Sequence, residues 1–240
     1  MNALLLAAGF GSRLRPITDN TPKCLVPIGG KPLLGHWLDS LAFAGVESVL
    51  VNLHYLSDQV REFVSSRPDH NRITLVDERS LLGTAGTVKQ NSEFFSGERG
   101  LVIHADNFCR ANLAAFIDKH ENRPLGTELT MMTFVADEPR TCGILDADEK
   151  GVVHGFHEKV ENPPGNVANA AIYIFEPSVI QFISSSPPGE LVDISRDVIP
   201  RFLGRIFATP ADGPVIDIGT PSNLKRAQSC ALTLEGLQQC

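Results

Sequence analysis

The sequence predicts an α/β protein: a doubly wound, mainly parallel sheet with helices on both faces, and a smaller antiparallel lobe in its second half. Three observations carry this. Through about residue 135, short apolar runs alternate with segments of helical periodicity. Beyond residue 136 the pattern shortens to strand, turn, strand. The 240 residues, 42% of them hydrophobic, suffice to bury a sizeable core in one domain. The expected organisation is a single domain over 1–240, with halves at 1–135 and 136–240 that face each other across a cleft.

The elements follow in order. Residues 3–8 form an apolar run short enough for a buried strand, stopped by Gly9. Pro32 stands where a helix can begin, and Leu34, Trp37, Leu38 and Leu41 follow at helical spacing. Residues 48–53 are β-branched enough for a second parallel strand, and 57–68 carry a helix ended near Pro68. A third short strand falls at 73–76, and a helix from Gly83–Thr84 to about residue 95 follows it. Residues 100–105 read as a fourth strand with Asp106 at its carboxyl end, the rim where open α/β sheets bind ligands. A helix around 113–120 and a long strand at 128–135 complete the first half.

In the second half, 141–145, 152–156 and 167–175 read as strands, with a hairpin turn at 146–151. Residues 163–165 and 184–189 are Pro/Gly/Ser loops. A helix is expected at 194–202, capped by Asp193 or Ser195, then strands at 205–209 and 214–218, and a last helix from Pro221 to about residue 234.

Composition excludes several classes. The net charge of −7 argues against nucleic acid or an anionic membrane surface as partner. No apolar run approaches the roughly 18 residues of a membrane span. Five scattered cysteines, with no C-x-x-C pair, predict reduced thiols, no zinc site and a cytoplasmic protein without a signal segment.

The chemistry concentrates in residues 4–34. Gly9 and Gly11 let the backbone turn and approach a ligand closely, and such a loop aims N–H groups at a phosphate. Arg13 and Lys23 add positive charge, held by Pro16, Pro22, Pro27 and Pro32. A dinucleotide fingerprint fails, because Leu14 occupies its third glycine position. A Walker A loop also fails, because Pro32 follows Lys31 where a hydroxyl residue belongs. Asp217, on a short apolar strand, needs a partner or a cation. With Asp106 it makes a candidate oxygen-ligand pair for Mg²⁺. His154 and His157 would point to opposite faces of a strand and make no shared metal site. His104 reads as structural or supporting rather than as a base.

Gly9-x-Gly11-Ser12-Arg13-x-x-Pro16-x-Thr18, then Pro22-Lys23-x-Leu25-x-Pro27, then Gly30-x-Pro32-Leu33, resembles the signature of the sugar-1-phosphate nucleotidyltransferases. The resemblance runs from residue 2 to about 227 and implies a Rossmann-like nucleotidyltransferase fold, with 1–135 the nucleotide-binding half and 136–240 the sugar-binding half. It implies nucleotide contacts from Leu6, Ala8, Gly9 and Gly11, and base contacts from Gly83 and Thr84 of the LGTAG loop. Asp106 and Asp217 are implied as holders of Mg²⁺, with Arg13 on the leaving pyrophosphate and Lys23 on the α-phosphate. Gly143, Glu158, Lys159 and Asn169 are implied as sugar-phosphate contacts.

The implied reaction transfers a nucleotidyl group from an NTP to a sugar 1-phosphate and releases pyrophosphate. LGTAG and the short C-terminus resemble the mannose-1-phosphate guanylyltransferase-like branch, without the β-helix tail of longer relatives. That implies GTP with mannose 1-phosphate or a related sugar. Uridylyl or thymidylyl transfer, and a silent nucleotide-sugar-sensing subunit, are the alternatives. The chain departs from the family pattern at Ala105, Val160 and Ala171, where Gly, Pro and Gly are usual. Cys240 and the last helix allow a homodimer.

Overall fold

The computed structural model describes the backbone of residues 1–238 and the side chains of residues 1–233. Cys240, named above for a homodimer, lies outside the described residues. The strands are β1 (Asn2–Leu6), β2 (Pro27–Ile28), β3 (Lys31–Pro32), β4 (Val49–Leu53), β5 (Ile73–Asp77), β6 (Gly100–His104), β7 (Asn107–Cys109), β8 (Leu129–Val135), β9 (Gly143–Ala147), β10 (Val153–Glu158), β11 (Val167–Phe175), β12 (Ile206–Pro210) and β13 (Val215–Asp217). The α-helices are α1 (Leu33–Phe43), α2 (Ser57–Ser65), α3 (Thr84–Gln90), α4 (Leu113–Glu121), α5 (Pro177–Ser185) and α6 (Pro221–Gln238).

β1 is central. It pairs in parallel with β4 on one side and β6 on the other, and β5 extends the sheet beyond β4. β11 then joins β6 antiparallel, β8 joins β11, and β12 runs parallel to β8. The hairpin β9–β10 attaches to β11 through Ala168 and Ile144. The antiparallel strands of the second half therefore continue the same nine-stranded sheet. β11 pairs with β8 along one edge and with β9 and β6 along the other, and its pairing with β8 shifts register between Asn169 and Tyr173.

Side-chain alternation on these strands fills two cores, one per face. Ala3, Leu5, Val49, Val51, Leu101 and Ile103 pack with α1 and α6 residues such as Leu34, Trp37 and Ala227. Leu4, Leu50 and Val102 point the other way, to Ala85 and Val88 of α3 and Val179 and Ile183 of α5. Period-two alternation in buried strands requires helices on both faces.

Several elements differ from expectation: strands β2, β3 and β7 were not expected, β9 runs into the expected turn at 146–151, and three further segments change. Residues 194–202 form a π-turn over Ile194–Val198 and a 3₁₀ turn over Ile199–Phe202 rather than an α-helix. Asp193 caps the first by accepting from Arg196 N at 3.0 Å. Pro200 lacks the N–H that a continuing helix needs. α3 ends at Gln90, with a 3₁₀ turn over Ser92–Phe95 beyond it. Helix α5 was not expected. It starts with Pro177 at its first turn and buries Val179, Ile180 and Ile183, a stripe too short to stand out in the sequence. Among the described residues no helix is long and apolar enough to cross a membrane.

Candidate active site

A cavity of about 370 Å³ opens at the carboxyl ends of β1, β4 and β6. Of the expected nucleotide contacts, Leu6, Ala8, Gly9, Gly11, Gly83 and Thr84 all line it, together with Arg13, Lys23 and Asp106. Gly11 is required by shape. Its φ is +65°, and a Cβ there would lie 2.9 Å from Thr18 Cγ2 and 3.1 Å from Lys23 Cβ. Thr18 also donates its hydroxyl to Gly11 O at 2.8 Å, which closes the loop.

The charged residues converge. Lys23, 6% exposed, donates from Nζ to Asp106 Oδ2 at 2.8 Å and to Asp217 Oδ1 at 3.3 Å. Arg13 Nη2 stands 3.6 Å from Asp217 Oδ2. The meeting of two acids 111 positions apart is the work of a two-stranded ribbon. β13 pairs antiparallel with β7, which sets Asp217 opposite Asn107, next to Asp106. Gly219 N donates to Asp217 Oδ1 at 2.8 Å, and a Cβ on Gly219 would meet Arg13 Nη2 at 2.6 Å. Burial alone would raise the Asp106 carboxyl, but the Lys23 ammonium, aided by His104 and the Lys23 hydrogen bond, holds it below the usual carboxylate range. Burial pushes the His104 ring below the ordinary histidine value.

This cluster has the donors a hard divalent cation takes: two partly exposed carboxylates, 43% and 46% accessible, that share one cationic neighbour. Among the described residues no group of three His, Cys, Asp or Glu side chains could hold a metal. A Mg²⁺ ion there would be held by Asp106 and Asp217 and would take its other oxygens from water and ligand.

The other end of the cavity holds a network that the sequence reading missed. Asn52 Oδ1 accepts from Ala7 N at 2.6 Å, which pins the start of the glycine loop. Its Nδ2 donates to Glu78 Oε1 at 2.9 Å. Glu78, only 4% exposed, also accepts from Thr87 Oγ1 at 2.5 Å and, through Oε2, from Leu82 N at 3.2 Å. One signal was present: Asn52 interrupts an apolar strand, and a buried polar residue needs partners. Thr84 spends its hydroxyl on residues 193–194, accepting from Ile194 N at 2.8 Å and donating to Asp193 Oδ2 at 3.4 Å. Gly83, at φ +76°, leaves no room for a Cβ, which would meet Val192 O at 2.4 Å.

The expected sugar-phosphate residues group on β9, β10 and β11. A Cβ on Gly143 would meet Phe156 Cζ at 2.4 Å and Glu158 Oε2 at 2.6 Å, so the Glu158 carboxylate lies directly over that glycine. Lys159 Nζ is 3.2 Å from Glu158 Oε1. Asn169 donates from Nδ2 to Tyr173 Oη at 2.7 Å and accepts from Ala171 N at 2.9 Å. Two backbone strains accompany them, Lys159 at φ +51° and Ala171 at φ +56°. Asn107 Nδ2 donates to Ala170 O at 3.0 Å and ties this group to the Asp106–Asp217 ribbon.

Fold and site together define an α/β protein with a glycine-lined cavity at the carboxyl ends of its parallel strands and a cluster of Arg13, Lys23, Asp106 and Asp217 beside it. A family model described as nucleotidyl transferase matches residues 2–233, and the chain belongs to that family. It is 33% identical over 227 residues to the mannose-1-phosphate guanylyltransferase catalytic subunit beta of Drosophila pseudoobscura pseudoobscura, covering 92% of this chain and 60% of that protein. It is 31% identical over 234 residues to the mannose-1-phosphate guanylyltransferase of Mycobacterium tuberculosis, covering 95% of this chain and 64% of that one. The chain thus spans less than two thirds of the length of these curated relatives. The crystal structure of HddC from Yersinia pseudotuberculosis complexed with GMP-PN superposes with a TM-score of 0.77 at 26% identity, over 95% of this chain and 98% of that one. A Bacillus anthracis protein crystallised in complex with a sucrose shares the fold at a TM-score of 0.85 and 24% identity, over 96% and 95% of the two chains.

Proposed function

We propose that the protein transfers a nucleotidyl group from GTP to the phosphate of a sugar 1-phosphate, mannose 1-phosphate or a close relative, and releases pyrophosphate. The observation that carries this reading is the Lys23 ammonium between Asp106 and Asp217, with Arg13 alongside, at the mouth of a glycine-lined cavity. A sugar phosphate oxygen is already ionised at neutral pH, so its attack on the α-phosphorus needs no general base. It needs alignment and cations that meet the charge on phosphorus. In this reading Lys23 stays with the α-phosphate through the transition state, and Arg13 steadies the departing pyrophosphate. Mg²⁺, held by Asp106 and Asp217, supplies charge neutralisation at the phosphates when bound.

Glu78 suits a base that presents a ring N–H. Its carboxylate has about four acceptor positions, and three are taken by protein donors, which leaves one on Oε2. The N1–H of guanine fills that position, as would the N3–H of uracil or thymine, whereas adenine presents a bare N1 that a carboxylate repels. The names of the curated relatives point to guanine. Glu158 and Asn169 take sugar hydroxyls in this reading, and Lys159 the sugar phosphate. We place the protein in the cytoplasm, where nucleoside triphosphates are made. The unpaired Cys24, Cys109, Cys142 and Cys230 suit that reducing compartment.

The test measures pyrophosphate release from GTP, ATP, UTP and dTTP against a panel of sugar 1-phosphates, with and without Mg²⁺. The expected result is turnover with GTP and mannose 1-phosphate, abolished by chelation. Turnover with UTP or dTTP in its place would move the base assignment. No release with any pair would point to a silent nucleotide-sugar-sensing subunit.

A further inference from the structure

Strand β4 buries an amide near its carboxyl end. Asn52 stands there, opposite Leu6 of β1 and Val76 of β5. It is 3% exposed and lines the cavity together with Glu78 and Thr87. The sense of its amide is fixed by Ala7 N, 2.6 Å away. A backbone N–H can only donate, so Oδ1 faces Ala7 and Nδ2 faces Glu78. Nδ2 donates to Glu78 Oε1 at 2.9 Å and lies 3.3 Å from Thr87 Oγ1. The Thr87 hydroxyl is 2.5 Å from the same Oε1 and 3.0 Å from Gly83 O. Oε1 is thereby filled, whereas Oε2 accepts only from Leu82 N. The main chain of Glu78 is clamped as well: its N–H donates to Leu53 O at 2.8 Å, and its carbonyl accepts from His54 Nδ1 at 2.8 Å. The three partners of the carboxylate are an amide, a hydroxyl and a backbone N–H, so the directions of those bonds decide which oxygen is left over.

Resting on the reading under Proposed function that Glu78 meets the base, we infer that Asn52 is a positioning residue for base selection: acting through Glu78, it occupies Oε1 and so leaves Oε2 for the ring N–H of the base. The same amide holds Ala7 at the start of the glycine loop, so the base end and that loop are registered on one side chain. A rule for exchanges at these two positions follows from donor and acceptor matching. In Glu78→Gln the new amide must turn its oxygen to Asn52, which sends its NH₂ toward Leu82 N and a ring N–H, donor against donor. In Asn52→Asp two carboxylates face each other. With both exchanges made, the new amide donates to the new carboxylate and Thr87 gives its hydrogen to Gly83 O. The amide oxygen then faces Leu82 N and the base, and Ala7 N keeps its acceptor.

The experiment compares the wild type with Asn52→Asp, Glu78→Gln and the double variant. Dissociation constants are measured for GTP, UTP and dTTP, whose bases carry a ring N–H, and for ATP and CTP, whose matching nitrogen is bare. Pyrophosphate release with mannose 1-phosphate is followed alongside. In each single variant, the preference for the favoured ring N–H nucleotide over ATP and CTP should fall about 10-fold or more. In the double variant it should return to within about 3-fold of the wild type, where independent sites would multiply the two losses.

Multiplied losses in the double variant overturn the inference. So does an unaltered preference in Asn52→Asp, and so does an equal weakening of all the nucleotides, which marks a packing role. Should Asn52→Asp fail to fold by itself, the double variant is set against Glu78→Gln, and a double variant no more selective than that single exchange overturns the inference. The expected pattern of binding without any pyrophosphate release upholds the inference and overturns the transferase reading alone. A favoured UTP or dTTP upholds it and moves the guanine assignment. A wild type that favours ATP or CTP, or binds all the nucleotides alike, removes Glu78 from the base and this inference with it.

Discussion

At the end of the cleft proposed for the phosphates, one buried ammonium draws two carboxylates together and an arginine closes the group. At the end proposed for the acceptor, the backbone itself departs from ordinary conformations: Lys159 and Ala171 adopt positive φ, β11 shifts register, and Gly143 has no room for a Cβ. The first end is organised by charge and the second by chain shape. A charge cluster tolerates little, because removing one member leaves the others uncompensated. A shaped surface can be recut one residue at a time, so one scaffold can serve different acceptors while its phosphate chemistry stays constant.

The largest effect is expected from breaking the charged end. Lys23→Met should lower kcat by about 100-fold to 1,000-fold, the usual cost of one electrostatic donor to a transition state. It should also reverse the Asp106 shift. In the wild type that carboxyl is held low, so its contribution to stability is present above the ordinary carboxylate range and is lost as pH falls below that range through the lowered folded value. In Lys23→Met burial acts with no ammonium to oppose it, and the carboxyl titrates above its wild-type position. A pH series of the Asp106 carboxyl carbon resonance checks this, and an unmoved midpoint would contradict the account.

Next comes the base end. Glu78→Gln exchanges an acceptor for a group that both donates and accepts, so preference for GTP over ATP should fall by about 10-fold to 100-fold, read as the ratio of kcat/KM values. Unchanged preference would remove Glu78 from base selection. A comparable loss confined to the acceptor side is expected from Gly143→Ala, whose Cβ would push Glu158 and Phe156 aside. Its KM for the sugar 1-phosphate should rise about 10-fold while KM for GTP holds, since overpacking of this kind costs about 1–3 kcal/mol. Equal changes in both constants would show that the two ends are not separable.

The smallest effect sharpens the comparison from the stability side. Ala171→Gly relieves a left-handed alanine and should stabilise by about 1 kcal/mol, some 2–4 °C in melting temperature, with kcat unaltered. A loss of stability would mean that the methyl group is worth more in packing than the strain costs.

Much of the phosphate end was legible because its parts are local. Gly9, Gly11, Arg13 and Lys23 lie within one loop, and Asp106 directly follows a strand, so spacing alone places them on one rim. The parallel strands were legible for a related reason, since a buried strand shows as a mostly apolar run, such as Val49–Val51 of β4 and Leu101–Ile103 of β6. Asn52 and Glu78 were not legible as a pair. They sit 26 positions apart, Asn52 on β4 and Glu78 just past the end of β5, and their meeting depends on β4–β5 register. Helix α5 and the π-turn at 194–198 were missed because short elements carry weak periodicity and are decided by what they pack against.

By itself the sequence determined the strand–helix alternation and the glycine turn with its two cations, because each follows from residue type and near spacing, while the two acids, 111 positions apart, were singled out by their strand contexts and the family resemblance. The tertiary structure alone decided that β13 pairs with β7 and so carries Asp217 to Asp106, and that the pairing of β11 with β8 shifts register between Asn169 and Tyr173. The physical reason is that register between distant strands is settled by packing across the whole sheet, and no window of neighbouring residues contains that sum.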